Sequence, residues 1–419
     1  GATRRGFLGL SAGGLALAGG AAALAGGGAE GPVATSAHVL ILGAGAAGAA
    51  LANRLRRRLE GARITLLDPR VEHVYQPGLT LVGTGLKPRD YVLSRTADWL
   101  PEGVELIAEA AAEIDPEAKR VVTASGRAVA YDRLVIALGI ELDHGAIEGF
   151  SLDLVGRGGI GALYAGPDHA ARTAEAFARF AEAGGRALST RPATEMKCAG
   201  APLKHTFLLE DVTRRTAGAG RAEVVYATPG ASLFGVPIVA EKLRMLFHER
   251  GIGALPGHEL KALDPGRRVA TFATAEGPRE EPYDYIHVVP PQRAPKVVRD
   301  SPLPWAERLV GQGWVEADRH TLRHPRFPDV WAVGDVAGVP KGKTAASVKW
   351  QVPVVEDHLV ADLAGREGTA RYDGYTSCPL ITRIGRAMLI EFDYRDHLVP
   401  SFPGLIAPLE ELWISWLMK

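Results

Sequence analysis

Six residues, Gly43-Ala44-Gly45-Ala46-Ala47-Gly48, limit what this chain can fold into more than any others. They follow a short apolar run, His38-Val39-Leu40-Ile41-Leu42, of strand type, and they lead into an Ala/Leu/Arg-rich stretch to Leu59 that reads as helix. In such a strand–turn–helix unit Gly43 makes the tight turn, Gly45 lets the backbone approach a pyrophosphate, and Gly48 lets helix and strand pack closely. Ala44 lies in the same loop, and the helix N-terminus adds free N–H groups and a positive dipole end. A second apolar run, Arg63-Ile64-Thr65-Leu66-Leu67, ends in Asp68, 20 residues beyond Gly48 and placed for ribose hydroxyls. A lone glycine triplet is a weak sign. Strand, glycines, helix, strand and acid in order predict a dinucleotide-binding βαβ unit that begins at Ala37.

At 419 residues the chain is too long for one ordinary core, and two or three domains are expected. Lys plus Arg equal Asp plus Glu at 48 each, so no global field favours nucleic acid, and no such partner is expected. Fifty glycines and 28 prolines predict many tight turns, as where backbone closes on a cofactor. Tyr131-Asp132-Arg133-Leu134-Val135-Ile136-Ala137-Leu138-Gly139 resembles the strand and turn with which two-dinucleotide flavoproteins close their FAD domain. Val330-Trp331-Ala332-Val333-Gly334-Asp335-Val336 resembles their second FAD motif, whose Asp hydrogen-bonds the ribitol chain. Either alone reads equally as a buried strand ending at a turn. Together, behind the glycine loop, they favour FAD over NAD.

The middle of the chain departs from the usual pattern. Ala187-Leu188-Ser189-Thr190-Arg191-Pro192 reads as the opening strand of a second βαβ unit, yet Ala193-Thr194-Glu195-Met196-Lys197-Cys198-Ala199-Gly200 follows, with no phosphate-binding glycine triplet. Glu195, Met196 and Lys197 would obstruct a pyrophosphate, so NAD(P) binding is not expected there. The fold class expected is α/β, with two Rossmann-like dinucleotide-binding domains: an intact FAD domain and a second domain without an NAD fingerprint. The chain has two cysteines, Cys198 in that loop and Cys378, 180 residues later. By count alone they read as unrelated buried thiols. A cysteine in place of a lost nucleotide site, in a chain that holds FAD, points instead to sulfur redox chemistry.

The N-terminus reads as an address. Thr3-Arg4-Arg5-Gly6-Phe7-Leu8 resembles a twin-arginine export motif, and the apolar run from Phe7 to Leu24 is too Gly-rich for a membrane span. Export of the folded, cofactor-loaded protein is expected, with a periplasmic location peripheral to the cytoplasmic membrane.

Lys197-Cys198-Ala199-Gly200-Ala201-Pro202-Leu203-Lys204 and Tyr372-Asp373-Gly374-Tyr375-Thr376-Ser377-Cys378-Pro379-Leu380 resemble the two cysteine motifs of sulfide:quinone oxidoreductases, in the two-cysteine branch that includes the mitochondrial enzyme. Tyr75-Gln76-Pro77-Gly78-Leu79-Thr80-Leu81-Val82-Gly83, Lys343-Thr344-Ala345-Ala346 and Glu391-Phe392-Asp393-Tyr394 are also similar to that branch, so the resemblance runs from about residue 37 to 395. The third cysteine of the bacterial type I branch, expected soon after Gly139, is absent. The resemblance implies that Gly43, Ala44, Gly45 and Gly48 hold the FAD pyrophosphate and Asp68 the adenosine ribose. It places Gln76, Gly139 and Gly334 in the FAD pocket, Ala111 near the adenine, Asp335 on the ribitol, and Lys343 by the flavin pyrimidine ring. Cys198 and Cys378 are the implied redox sulfurs, with Lys204 in the active-site region.

The implied reaction begins when hydrosulfide attacks a disulfide or trisulfide bridging the cysteines, leaving a persulfide on one and a thiolate on the other. Two electrons then pass through FAD to a membrane quinone, and the sulfur leaves on sulfite, a thiol or polysulfide. Such thiols need a lowered pKa, for which Lys197, Lys204, Lys343 or a helix N-terminus are candidates. Glu195, His205 and Glu210 are candidates for proton relay, although a surface or structural role is the expectation for each. The histidines show no metal-ligand spacing with the cysteines, and no metal is expected.

After Pro408, Leu409, Leu412, Trp413, Trp416 and Leu417 would form one helical stripe about 15 Å long, too short to cross a bilayer. It predicts a short membrane-associating segment lying in the interface, or packing on the chain's own core or a second subunit. The expected division is an export signal and linker over 1–36, the FAD domain in two parts over 37–150 and 301–365, the second Rossmann-like domain over 151–300, and a C-terminal region with Cys378 over 366–419. Two rival readings stand beside sulfide:quinone chemistry: a flavocytochrome-type sulfide dehydrogenase donating to a c-type cytochrome, and a persulfide-carrying flavoprotein without respiratory turnover. Homo-oligomer formation is left open.

Overall fold

The computed structural model describes residues 31–306 and 312–418. The twin-arginine-like motif lies outside the described residues. The chain enters through β1 (His38–Leu42), turns at the glycine loop into α1 (Ala46–Arg58), and returns through β2 (Arg63–Leu67), β3 (Val104–Ile107) and β4 (Arg133–Ile136). A second unit follows: β5 (Ile160–Gly161), α2 (Pro167–Ala183), β6 (Gly185–Thr190), α3 (Ala201–Thr216), β7 (Ala222–Thr228), α4 (Pro237–Arg250), β8 (Gly253–Pro256) and β9 (Tyr285–His287). The chain then comes back to the first unit through β10 (Val330–Ala332) and α5 (Ala345–Leu363). It ends in a hairpin of β11 (Thr376–Arg383) and β12 (Arg386–Phe392), and a short α6 (Trp413–Leu417).

Both units are five-stranded parallel sheets. The first has the order β10-β4-β1-β2-β3, with Leu40 paired to Leu134 on one side and Thr65 on the other. Its strands carry apolar residues on both faces because both are covered, and Val39, Leu40, Ile41 and Leu42 are all fully buried. The order reverses between β1 and β4, which makes the carboxyl end of β1 the switch point where ligands bind in such sheets. The second sheet has the order β5-β9-β6-β7-β8 and its own core, including Phe177, Phe207, Tyr226 and Phe247.

The hairpin joins that second core. Cys378, Leu380, Met388, Ile390 and Phe392 from alternate hairpin positions pack with Phe207, Phe234 and Phe247. This packing carries Cys378 across 180 residues of sequence to the start of α3.

The tail differs from the single apolar helix expected. Only Trp413–Leu417 is helical. Leu412 is extended because it pairs with Ala387 of β12 through both of its backbone groups, at 2.9 and 3.2 Å, so the helix can begin only after it, with Leu412 as N-cap accepting from the Trp416 N–H at 3.3 Å. Leu409 packs against the second core and Trp416 against Leu81, Leu208 and Ile381, while Trp413, Ile414 and Leu417 stay exposed. Among the described residues no helix is long and apolar enough to cross a membrane.

Candidate active site

At the switch point Gly43 and Gly48 leave no room for side chains. A Cβ on Gly43, at φ +101°, would stand 2.4 Å from the Ala137 carbonyl oxygen, and one on Gly48 only 1.8 Å from the Gly43 oxygen. Around Gly45 the space is open, the nearest atom being an Arg70 nitrogen at 3.8 Å. Asp68 directly follows β2 and is buried. Its carboxylate accepts from the Ala44 N–H at 2.7 Å and from the Arg70 N–H and guanidinium at 2.6 to 2.9 Å. Burial opposes its charge, but the Arg70 and Ala44 hydrogen bonds outweigh burial and hold the carboxyl below its usual range. All four acceptor positions of Asp68 are engaged, so a ribose bound there exchanges with Arg70.

Gly139 follows β4 at φ +70° and Gly334 follows β10 at φ +78°, so a left-handed glycine stands beyond the carboxyl end of each of these neighbouring strands. Next to Gly334, the Asp335 carboxyl makes no hydrogen bond among the described residues. Burial raises its pKa against the pull of Lys197 and Lys343. A tight glycine cradle, an open space over Gly45 and an unpartnered carboxyl fit a dinucleotide whose hydroxyls supply donors. Gln76 sits in a single helical turn at the same side and accepts from the Lys197 ammonium. Ala111 opens an antiparallel strand, paired to Thr123, and packs against the first core that also holds Ala44 and Ala47.

The thiols meet where the two units face each other. Cys198 lies two residues before the Gly200 N-cap of α3, with a left-handed backbone at φ +48°. That conformation costs about 1–2 kcal/mol for a residue with a Cβ. Hydrogen bonds on either side hold it: its N–H donates to the Lys343 carbonyl at 2.7 Å, and its own carbonyl accepts from the Ala201 N–H at 2.7 Å. Upstream, the Lys197 N–H donates to the Gln292 side chain at 2.9 Å, and Gln312 donates to the Glu195 carbonyl at 3.3 Å. Cys378 comes from β11, and the sulfurs are 3.9 Å apart. The approach depends on Gly200, because a Cβ there would lie 2.6 Å from the Cys378 sulfur.

Lys204 completes the pair. It is 2 % exposed, and its ammonium lies 3.4 Å from the Cys198 sulfur. Burial is the largest influence on it and opposes its charge. The Cys198 and Cys378 sulfurs together with Tyr164 overcome that and push its pKa above the ordinary value. Tyr164 anchors the same helical turn by donating to the Ala201 carbonyl at 2.7 Å.

The Lys343 ammonium donates to the Asp335 and Ala337 carbonyls at 2.7 and 3.0 Å and lies 3.8 Å above the Trp314 ring. It is also 3.8 Å from the Glu195 carboxylate. The other proton-relay candidates lie elsewhere. His205 is buried in the second core between Ser189 and Tyr285, and Glu210 pairs with Arg214 further along α3. Gly200, Tyr164, Gln292, Gln312 and Trp314 were not legible as site residues. Only Gly200, between a cysteine and the helix-starting Pro202, carried any local sign. No metal-binding cluster occurs among the described residues.

A glycine-cradled dinucleotide site, and two facing thiols held by a second parallel sheet, define an oxidoreductase of the paired-thiol flavoprotein class. Residues 37–349 match the family described as pyridine nucleotide-disulphide oxidoreductase. The chain is 35% identical to mitochondrial sulfide:quinone oxidoreductase of Mus musculus, across 87% of this chain and 80% of the relative. It is 32% identical to the Dictyostelium discoideum protein of the same name, across 87% and 79%. The fold matches the crystal structure of sulfide:quinone oxidoreductase from Aquifex aeolicus with a TM-score of 0.72 at 22% identity, covering 88% of this chain and 85% of that one. The chain belongs to the sulfide:quinone oxidoreductase family of pyridine nucleotide-disulphide oxidoreductases. Its cofactor is FAD.

Proposed function

We propose that this chain oxidises sulfide to zero-valent sulfur at Cys198 and Cys378 and delivers two electrons by way of FAD to a quinone. The observation that carries the reading is the 3.9 Å approach of the only two cysteines, with the Lys204 ammonium beside one of them. Gly43, Ala44, Gly45 and Gly48 would hold the FAD pyrophosphate, Asp68 and Arg70 the adenosine, Asp335 the ribitol, and Gln76, Gly139, Gly334 and Lys343 the flavin end; Ala111 is assigned to the adenine by resemblance alone. When bound, FAD supplies a two-electron acceptor that quinone can reoxidise.

The residues of the chain do the sulfur chemistry. Hydrosulfide attacks the sulfur bridge between Cys198 and Cys378, so that one sulfur–sulfur bond forms, one breaks, and one cysteine leaves as thiolate. Lys204 and the N-terminal end of α3 stabilise that negative charge at Cys198. The persulfide sulfur then leaves on a nucleophilic acceptor, a sulfite, thiol or polysulfide. Exposed Trp413, Ile414 and Leu417 support a peripheral contact with a lipid surface, from which an apolar quinone would arrive. The Thr3–Leu8 motif supports export to the periplasmic side.

Anaerobic stopped-flow absorbance tests the cycle. Sulfide should bleach the flavin and a short-chain quinone should restore it, with both steps lost in Cys198→Ser and Cys378→Ser. Recovery with cytochrome c alone would replace quinone by a cytochrome acceptor, and no bleaching would sink the reading.

A further inference from the structure

The left-handed backbone of Cys198 is held from outside its own loop, by the Lys343 carbonyl. Lys343 is itself immobilised at its other end. Its ammonium is buried in a box made of the Asp335 carbonyl, the Ala337 carbonyl and the face of Trp314. The Trp314 segment is zipped onto the same turn: the Val315 N–H donates to the Val336 carbonyl at 3.1 Å, and the Gly338 N–H donates to the Val315 carbonyl at 2.8 Å. The indole itself is 1 % exposed and belongs to the first core. The first unit reaches the thiol loop at several points, Gln76 at Lys197 and Gln312 at Glu195 among them, but the hydrogen bond to the Cys198 N–H itself comes from the Lys343 carbonyl. Gly342, at φ +128° just before Lys343, is held by the Gln351 amide at 3.3 Å and Thr344 caps α5, so the ammonium box is the hold that acts at Lys343 itself within the 340–344 segment.

We propose that Trp314 is a positioning residue for the thiol pair: its ring fixes the Lys343 ammonium, and the Lys343 carbonyl in turn fixes Cys198 in the backbone conformation that faces Cys378. Trp314 hydrogen-bonds neither sulfur through its indole N–H. Its effect passes through an electron-rich face that holds a desolvated cation, a role an aliphatic side chain cannot fill. The inference rests on the Cys198–Cys378 pair being the redox centre, but not on the identity of the substrate.

Closure of the pair can be read without sulfide or quinone. A diazenedicarboxamide oxidant added to the reduced FAD-loaded protein takes two protons and two electrons from the thiols, joining the sulfurs and becoming its hydrazine. Because the chain has only two cysteines, loss of the thiol titre reports this pair alone. Trp314→Leu should slow closure at least tenfold, Trp314→Phe should stay within about threefold of wild type, and Lys343→Met should be slow like Trp314→Leu. Val121→Ala, in the same core but outside the box, serves as the stability control and should close at the wild-type rate. Closure at the wild-type rate in Trp314→Leu, or slowing by Val121→Ala at an equal loss of thermal stability, would overturn the proposal. If Trp314→Leu does not fold, Lys343→Met alone decides, and wild-type closure in it counts against the inference. Failure of the sulfide reading would leave these rates unchanged, so the two are distinguishable.

Discussion

Gly200 shows how a single hydrogen atom can set the spacing of a redox pair. A methyl group there would enter the space of the Cys378 sulfur and stand 3.2 Å from Leu380. Gly200→Ala should lower thermal stability modestly, by about 1–3 kcal/mol of overpacking, while slowing sulfide-dependent flavin bleaching at least tenfold. A variant that bleaches at the wild-type rate would show that the 3.9 Å approach is not limiting. Lys204 sets the charge at the same place. In a Cys378→Ser background, Lys204→Met should move the pH midpoint of Cys198 alkylation up by at least one unit, equivalent to about 1.4 kcal/mol of lost thiolate stabilisation. An unmoved midpoint would assign the activation to α3 alone. The glycine loop could be read from sequence because turn, approach and packing are all encoded within six residues. The cysteine pairing was legible only through resemblance, since the contacts that make it come from segments 180 residues apart.

The C-terminal hairpin and tail illustrate why element boundaries escape a periodicity argument. The apolar spacing from Leu409 to Leu417 fits a helix, yet the ladder to Ala387 captures Leu412 and leaves one helical turn. What fixes the tail is Glu411, gripped by Arg250 of α4 and, at 2.9 Å, by Arg383 of β11. Burial opposes the Glu411 charge, but hydrogen bonds from Thr382, Arg383 and Arg250 prevail and bring its pKa down to about 2. A carboxyl lowered on folding stabilises the folded form above its unfolded pKa. That contribution fades as pH falls from about 4.3 towards 2. Glu411→Gln should therefore cost about 2–3 kcal/mol locally, below the usual 3–5 for a buried pair because Arg383 is partly exposed. Hydrogen exchange should show the Leu412 amide losing protection while the amides of α1 keep theirs. Equal protection in the variant would mean that the Ala387 ladder alone holds the tail.

Across the whole molecule, burial lowers histidines in both units, His38 and His324 in the first among them, but the two most strongly lowered share the second core. The second core contains His205 and His287, both fully buried, with their rings stacked 4.1 Å apart. Burial brings His287 down to about 3, and burial together with His287 holds His205 well below the ordinary histidine value. A histidine lowered on folding binds its proton more readily when unfolded. Stability should therefore be full above about pH 6.5 and fall as pH drops below it, by up to about 1.4 kcal/mol per pH unit for each ring. At pH 5 His287 alone should have withdrawn about 2 kcal/mol, a large share of the 5–15 kcal/mol typical of a domain, and His205 acts in the same direction. Neither His287 nitrogen has a hydrogen-bond partner among the described residues, so an apolar replacement leaves no stranded group behind. His287→Leu should accordingly match wild type in urea midpoint at pH 7.5 and exceed it at pH 5. The hairpin that carries Cys378 is packed on this core, so the same acid range should widen the thiol gap before the glycine-cradled first sheet yields. Parallel loss of stability in His287→Leu and wild type between pH 7.5 and 5 would place the acid-sensitive groups elsewhere.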